Sequence, residues 1–170
     1  MGFSIDFSVA QETSSSYLLP ISLFVVFVFL LTLILGKLLK LKQSYIYLIA
    51  SGSSICGGTA MAAVAPVIKS RPQELSIAIA IIFLLNAIGI LFFPLIAEQI
   101  NLSQSEFGLW AATAIHDTSA VIGAAMIYGA ESLEVAATLK LGRTLWIIPL
   151  VIILSLMNRT DTVSYTHLTL

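Results

Sequence analysis

The chain has 170 residues, 58% of them hydrophobic and 10% charged, with a net charge of −1 and a mean hydropathy of +1.01. Soluble domains carry about 25% charged residues, so this composition excludes a soluble enzyme and points to an integral membrane protein whose surroundings are a lipid bilayer. The near-neutral charge offers nothing to nucleic acid, and a single cysteine, Cys56, excludes an intramolecular disulfide framework.

The N-terminal segment, residues 1–16, is polar, carries Asp6 and Glu12 and has no basic start, so no cleavable signal peptide is expected. Five apolar segments follow, at about 17–35, 45–68, 75–97, 107–128 and 141–157. They predict an all-α transmembrane region of about five membrane helices over 17–159, since about 20 apolar residues span a bilayer. The connection 36–44 holds Lys37, Lys40 and Lys42, and 69–74 holds Lys69 and Arg71. The stretch 98–106 has no basic residue, and 129–143 reads as a loop with Glu131, Glu134, Lys140 and Arg143. Pro66, Pro94 and Pro149 fall inside apolar runs and predict kinks. Residues 160–170 lose membrane character abruptly and resemble translated adaptor sequence, so this tail, with His167, is set aside as non-native.

The second apolar segment is interrupted at its centre by Ser51-Gly52-Ser53-Ser54-Ile55-Cys56-Gly57-Gly58-Thr59. Glycine costs about 1 kcal/mol per helical position relative to alanine, and serine and threonine offer the backbone competing hydrogen bonds. Unravelled backbone survives in a membrane only where protein or a water-filled cavity satisfies it. A break at mid-membrane is the usual pointer to a transporter's binding site. A Gly/Ser face that lets two intact helices approach closely fits the same residues. The break predicts Ser53, Ser54, Cys56, Gly57, Gly58 and Thr59 as candidate binding residues.

Asp117 stands near the centre of the fourth segment, where an aspartate costs about 2.5–3.5 kcal/mol on insertion scales. Its neighbour His116 titrates near physiological pH when unperturbed. The pair lines a polar cavity that holds a proton, a cation or a substrate group, or it fixes packing, or it lies near the interface. Asn86, inside the third segment, serves an interhelical hydrogen bond or a ligand.

Positive charge sets orientation. If all five segments cross, four basic residues fall on each side. If 45–68 enters and returns on one side, the count becomes seven to one.

Three motifs carry a resemblance. They are Ser51 to Ala60 followed by Ala65-Pro66-Val67-Ile68-Lys69; Ala114-Ile115-His116-Asp117-Thr118-Ser119-Ala120-Val121-Ile122-Gly123-Ala124; and Lys140-Leu141-Gly142-Arg143-Thr144-Leu145-Trp146-Ile147-Ile148-Pro149. Together they resemble the YeiH family, whose members are named as sulfate exporters. Members of that family are longer, so the chain looks like an internal fragment that lacks helices of the whole protein. The Cys56-Gly57-Gly58-Thr59-Ala60 break is also similar to that of sodium–bile acid symporter-like carriers. This implies a partial unit of an inverted-repeat transporter fold in which the broken helix crosses the membrane.

The expected function is that of a multi-pass secondary transporter in a bacterial inner membrane, exporting sulfate or a similar small anion. Half-helix N-termini would face the anion, and Asp117, with His116, would carry a coupling proton or cation. The alternatives are a passive anion channel and a non-transporting membrane scaffold or sensor. With no catalytic constellation visible, no enzyme activity and no cofactor or metal are expected.

Overall fold

The structure is a computed structural model that describes residues 7–158, with side chains from Leu19 onward. The predicted tail at 160–170 lies outside the described residues. Among the described residues eight helices follow in order: α1 (Phe7–Leu38), α2 (Gln43–Ser54), α3 (Gly58–Val64), α4 (Pro72–Gln99), α5 (Gln104–Ala114), α6 (Thr118–Tyr128), α7 (Ala130–Thr144) and α8 (Ile147–Asn158). Among the described residues three stretches are long and apolar enough to cross a membrane: Leu19–Leu38, Pro72–Gln99 and Ala130–Asn158. Large apolar side chains such as Leu30, Leu84, Leu91 and Ile152 stand exposed along them, the surface a lipid-facing helix presents.

Local chemistry sets the helix ends. Pro72 begins α4, where its missing N–H has no helical partner to lose. Ser103 and Glu106 form a reciprocal box at the start of α5: the Ser103 N–H donates to the Glu106 carboxylate at 2.8 Å, and the Glu106 N–H donates back to the Ser103 hydroxyl. Asn101, in the left-handed region at φ 55°, turns the chain between α4 and α5.

The two remaining apolar segments do not run through. Lys42, just before α2, reaches Glu74 in the first turn of α4 at 3.4 Å. Both ends of the α2–α3 segment therefore lie at one end of α4. A Cβ on Gly52 would come 3.1 Å from Cγ of Met61. Nine helical residues would separate these positions by about 13 Å along one axis, so α3 doubles back beside α2. Leu48, Met61, Ala65, Ala78 and Ile82 close this hairpin against α4. The turn uses Gly57 at φ 68° and ψ −127°, backbone that a side chain strains to adopt.

The second segment repeats the plan from the other end. The Tyr128 hydroxyl, at the end of α6, donates to the Leu102 carbonyl before α5 at 2.5 Å. The Tyr128 ring stacks on Phe107 at 4.2 Å between centroids. Such a pair is worth about 0.5–1.5 kcal/mol beyond the area it buries. Gly108 lets α5 lie directly on α7, because a Cβ there would meet the Ser132 carbonyl at 2.7 Å.

These contacts correct the expected crossing of 45–68 and the single break. Both apolar segments are helical hairpins, inserted from opposite ends between the long helices, and both are broken at their tips. The seven-to-one charge count had pointed to the return of the first. The structure differs again at 129–143, where α7 occupies the stretch read as a loop. Pro66 falls in the turn that ends α3, and α4 continues through Pro94.

Candidate functional site

The tips meet. A Cβ on Gly57 would lie 3.4 Å from the Asp117 Cα and N and from the His116 carbonyl carbon. The meeting point is level with Asn86, at the middle of the 28-residue α4. The Asn86 side-chain oxygen accepts the backbone N–H of His116 at 2.9 Å and that of Asp117 at 3.4 Å. Three predicted residues are thus joined by hydrogen bonds, and a fourth, Gly57, touches them.

Asp117 is not a bare acid within a continuous helix, as the sequence had implied. It is the cap of α6. One carboxylate oxygen accepts the N–H of Ser119 at 3.0 Å and of Ala120 at 3.4 Å, and also takes the Ser119 hydroxyl. The carboxylate charge sits at the positive end of the α6 dipole. His116 lies in hydrogen-bond reach of the Ser53 backbone on the facing tip, and its Nδ1 has no partner among the described residues.

The hydroxyls of the first tip face their own helix. Ser53 donates to the Ile49 carbonyl at 2.5 Å and Ser54 to the Ala50 carbonyl at 2.7 Å. Cys56 is a buried free thiol in contact with the Ala60 backbone and the Thr59 side chain. Gly58 packs towards Phe83, and Thr59 is exposed. An open cleft of about 390 Å³ runs between α4 and α6, lined by Phe83, Asn86, Ala87, Ile90, Asp117, Ser119 and Ala120. Of the predicted residues it gathers only Asn86 and Asp117.

Two charges from the stretch expected to be a loop lie at the centre. Lys140 and Arg143 are 0% and 1% exposed. Arg143 donates to the Ser53 and Ser54 carbonyls at the end of α2 and to the Ala112 and Thr113 carbonyls at the end of α5. Those four oxygens have no partner within their own helices. Two half-helix C-termini bring about −0.5 charge each, so one guanidinium balances the pair. Phe24 of α1 covers it at 4.9 Å. Lys140 donates to the Ile115 carbonyl at 2.9 Å. The one ion pair among the described residues, Lys42–Glu74, is at the periphery. The missed signal was periodicity: Ser132, Ala136, Leu139, Lys140 and Arg143 form one buried helical stripe.

The family model described as conserved hypothetical protein 698 matches residues 1–168. A UPF0324 membrane protein of Vibrio parahaemolyticus is 45% identical over 153 residues, covering 90% of this chain and 49% of the relative. The UPF0324 membrane protein of Shewanella oneidensis is 43% identical over 161 residues, covering 95% of this chain and 51% of its own length. That of Bacteroides thetaiotaomicron is 48% identical over 124 residues, covering 70% and 38%. This chain thus spans about half the length of the curated relatives it matches. No solved structure matches it. On the family match and on relatives at 43–48% identity, the chain belongs to the YeiH/UPF0324 family of membrane proteins.

Proposed function

We propose that the chain supplies part of the pathway of a secondary transporter that carries a small anion, such as sulfate, across a bacterial cell membrane. The observation that carries the reading is the pair of hairpins. They come from opposite ends of the long helices, and their tips meet beside a buried amide and a carboxylate at the middle of α4. Interrupted helices at that depth are how transporters expose backbone to a guest while sealing it from lipid.

Local charge supports an anion. Arg143 is matched by two helix C-termini, and Asp117 by the N-terminus of α6. Lys140, bonded through Nζ to one carbonyl and in no ion pair among the described residues, is the remaining basic group beside the tips. Asp117 holds the coupling proton or cation, with its free carboxylate edge on the cleft. Two interrupted segments meeting at one point is the principle of sodium–bile acid symporter-like carriers, realised here with hairpins.

The test is flux of labelled sulfate into vesicles containing the parent reading frame. Asn caps a helix as well as Asp does, so Asp117→Asn keeps the tip folded. The expected result is flux at background with unchanged abundance in the membrane. Wild-type flux in this variant removes Asp117 from the mechanism, and absence of saturable anion flux in the wild type overturns the reading.

A further inference from the structure

Away from the tips, the chain gathers exposed positive charge at one end of the long helices. Lys37, Lys40 and Lys42 stand where α1 gives way to α2, and Lys69 and Arg71 stand just before α4. Two connections distant in sequence are drawn together there. Lys42 Nζ meets Glu74 Oε1 at 3.4 Å, and Glu74 Oε2 accepts the Arg71 N–H at 3.3 Å. A Cβ on Gly36 would come 2.7 Å from Cγ1 of Ile46, so α1 lies directly on α2. The Leu41 N–H donates to the Gly36 carbonyl at 3.0 Å, which curls the first connection over that joint.

Glu74 is the only acid between residues 36 and 74. Lys37, Lys40, Lys69 and Arg71 form no ion pair among the described residues. Helix C-termini attract cations, which accounts for Lys37 and Lys40 at the end of α1 and for Lys69 after α3. Arg71 does not fit that account. It is the N-cap of α4, where the dipole opposes a cation. The opposite end of the long helices has the reverse character: Glu98, Glu106, Glu131 and Glu134 are exposed, and 98–134 holds no lysine or arginine.

The first connection also fixes its depth. Leu38, Leu39 and Leu41 are 75%, 69% and 44% exposed, interleaved with Lys37, Lys40 and Lys42. Such leucines belong in lipid, and lysine stems lie along apolar surface while their ammonium groups reach the headgroups. We propose that the two connections form one docking surface for an anionic phospholipid. Its phosphate sits among the unpaired cations, and its acyl chains lie on the leucines. Clusters of four or more basic residues beside a membrane helix have this affinity on electrostatic grounds. The surface is remote from the tips and stands whether or not the chain transports.

The experiment titrates the purified parent reading frame, in neutral detergent, with phosphatidylglycerol, phosphatidylcholine or glycerol 3-phosphate, and reads adducts by native mass spectrometry. Saturable binding of phosphatidylglycerol is expected, with phosphatidylcholine about tenfold weaker or more. Lys40 and Lys69 have φ 55° and 52°, backbone that asparagine tolerates. Lys40→Asn and Lys69→Asn should each weaken binding about fivefold, and together about 25-fold, at unchanged melting temperature. Lys40→Arg and Lys69→Arg should bind as the parent does. Glu74→Gln frees Lys42 and should tighten binding about fivefold. Glu134→Gln, which adds the same charge at the far end, should leave it unchanged. If either asparagine variant is not recovered, Arg71→Gln takes its place. Equal responses to the two Gln substitutions would show net charge at work and overturn the surface. Glycerol 3-phosphate binding as tightly as the lipid overturns it in favour of a soluble phosphate. No preference for the anionic lipid overturns it too, and assigns the leucines to contact with the rest of the parent protein.

Discussion

Replacing Arg143 with methionine tests the central joint directly. The side chain makes five hydrogen bonds to four carbonyls, two on each hairpin. Methionine fills similar space and makes none of them. Side-chain hydrogen bonds inside membranes average about 0.6 kcal/mol, which gives about 3 kcal/mol for the set. Leaving the carbonyls buried and unpaired costs about 1–3 kcal/mol each by soluble-protein measures, so 3 kcal/mol is the lower figure. A domain is stable by about 5–15 kcal/mol, and for a chain of this size each kcal/mol moves the melting temperature by about 2–4 °C. Arg143→Met should therefore melt roughly 10 °C lower in thermal unfolding of the detergent-solubilised protein. Arg143→Lys keeps the charge but has three donors and no planar fork, so it should fall between the two. A methionine variant melting within about 2 °C of the parent would refute the clip.

The remaining predictions concern the tip and the topology. Gly57→Ala puts a side chain at φ 68° and should cost about 1–3 kcal/mol, read as a lowered denaturation midpoint; no loss means the turn relaxes elsewhere. In a Cys56→Ser background, cysteines at Gln43 and Ser70 should react with a membrane-impermeant reagent from one face, and cysteines at Ser103 and Ala130 from the other. Reaction of Gln43 and Ser70 from opposite faces contradicts the first hairpin. Lys37, Lys40, Lys42, Lys69 and Arg71 all gather at the Gln43 end, so that face should be cytoplasmic, as protease access in oriented vesicles will report.

The sequence was most informative where physics leaves little choice. Apolar runs marked the long helices, and the glycine-rich interruption marked the first tip, because a lipid-buried helix rarely contains so many poor formers. Asp117 was visible as an acid at improbable depth. Its role as a cap was not, since Ala111 to Ala125 is apolar enough to pass for one helix, and the break there uses no glycine. The direction of each hairpin was hidden for another reason. A returning segment and a crossing one have the same composition, and only long-range contacts such as Lys42–Glu74 and Tyr128–Leu102 distinguish them. Lys140 and Arg143 were misread because four charged residues within 131–143 resemble a solvated loop. Their three-residue spacing places both on one side of α7, the side that carries Ala136 and Leu139 inward.

The guanidinium of Arg143 grips main-chain oxygens and no side chain of either hairpin. Any amino acid supplies those oxygens. The lining beside the joint can therefore change from one descendant to another without loosening the mechanical coupling between the two arms. Substitution at cleft residues such as Phe83, Ala87 and Ile90 therefore leaves the join between the two hairpins untouched.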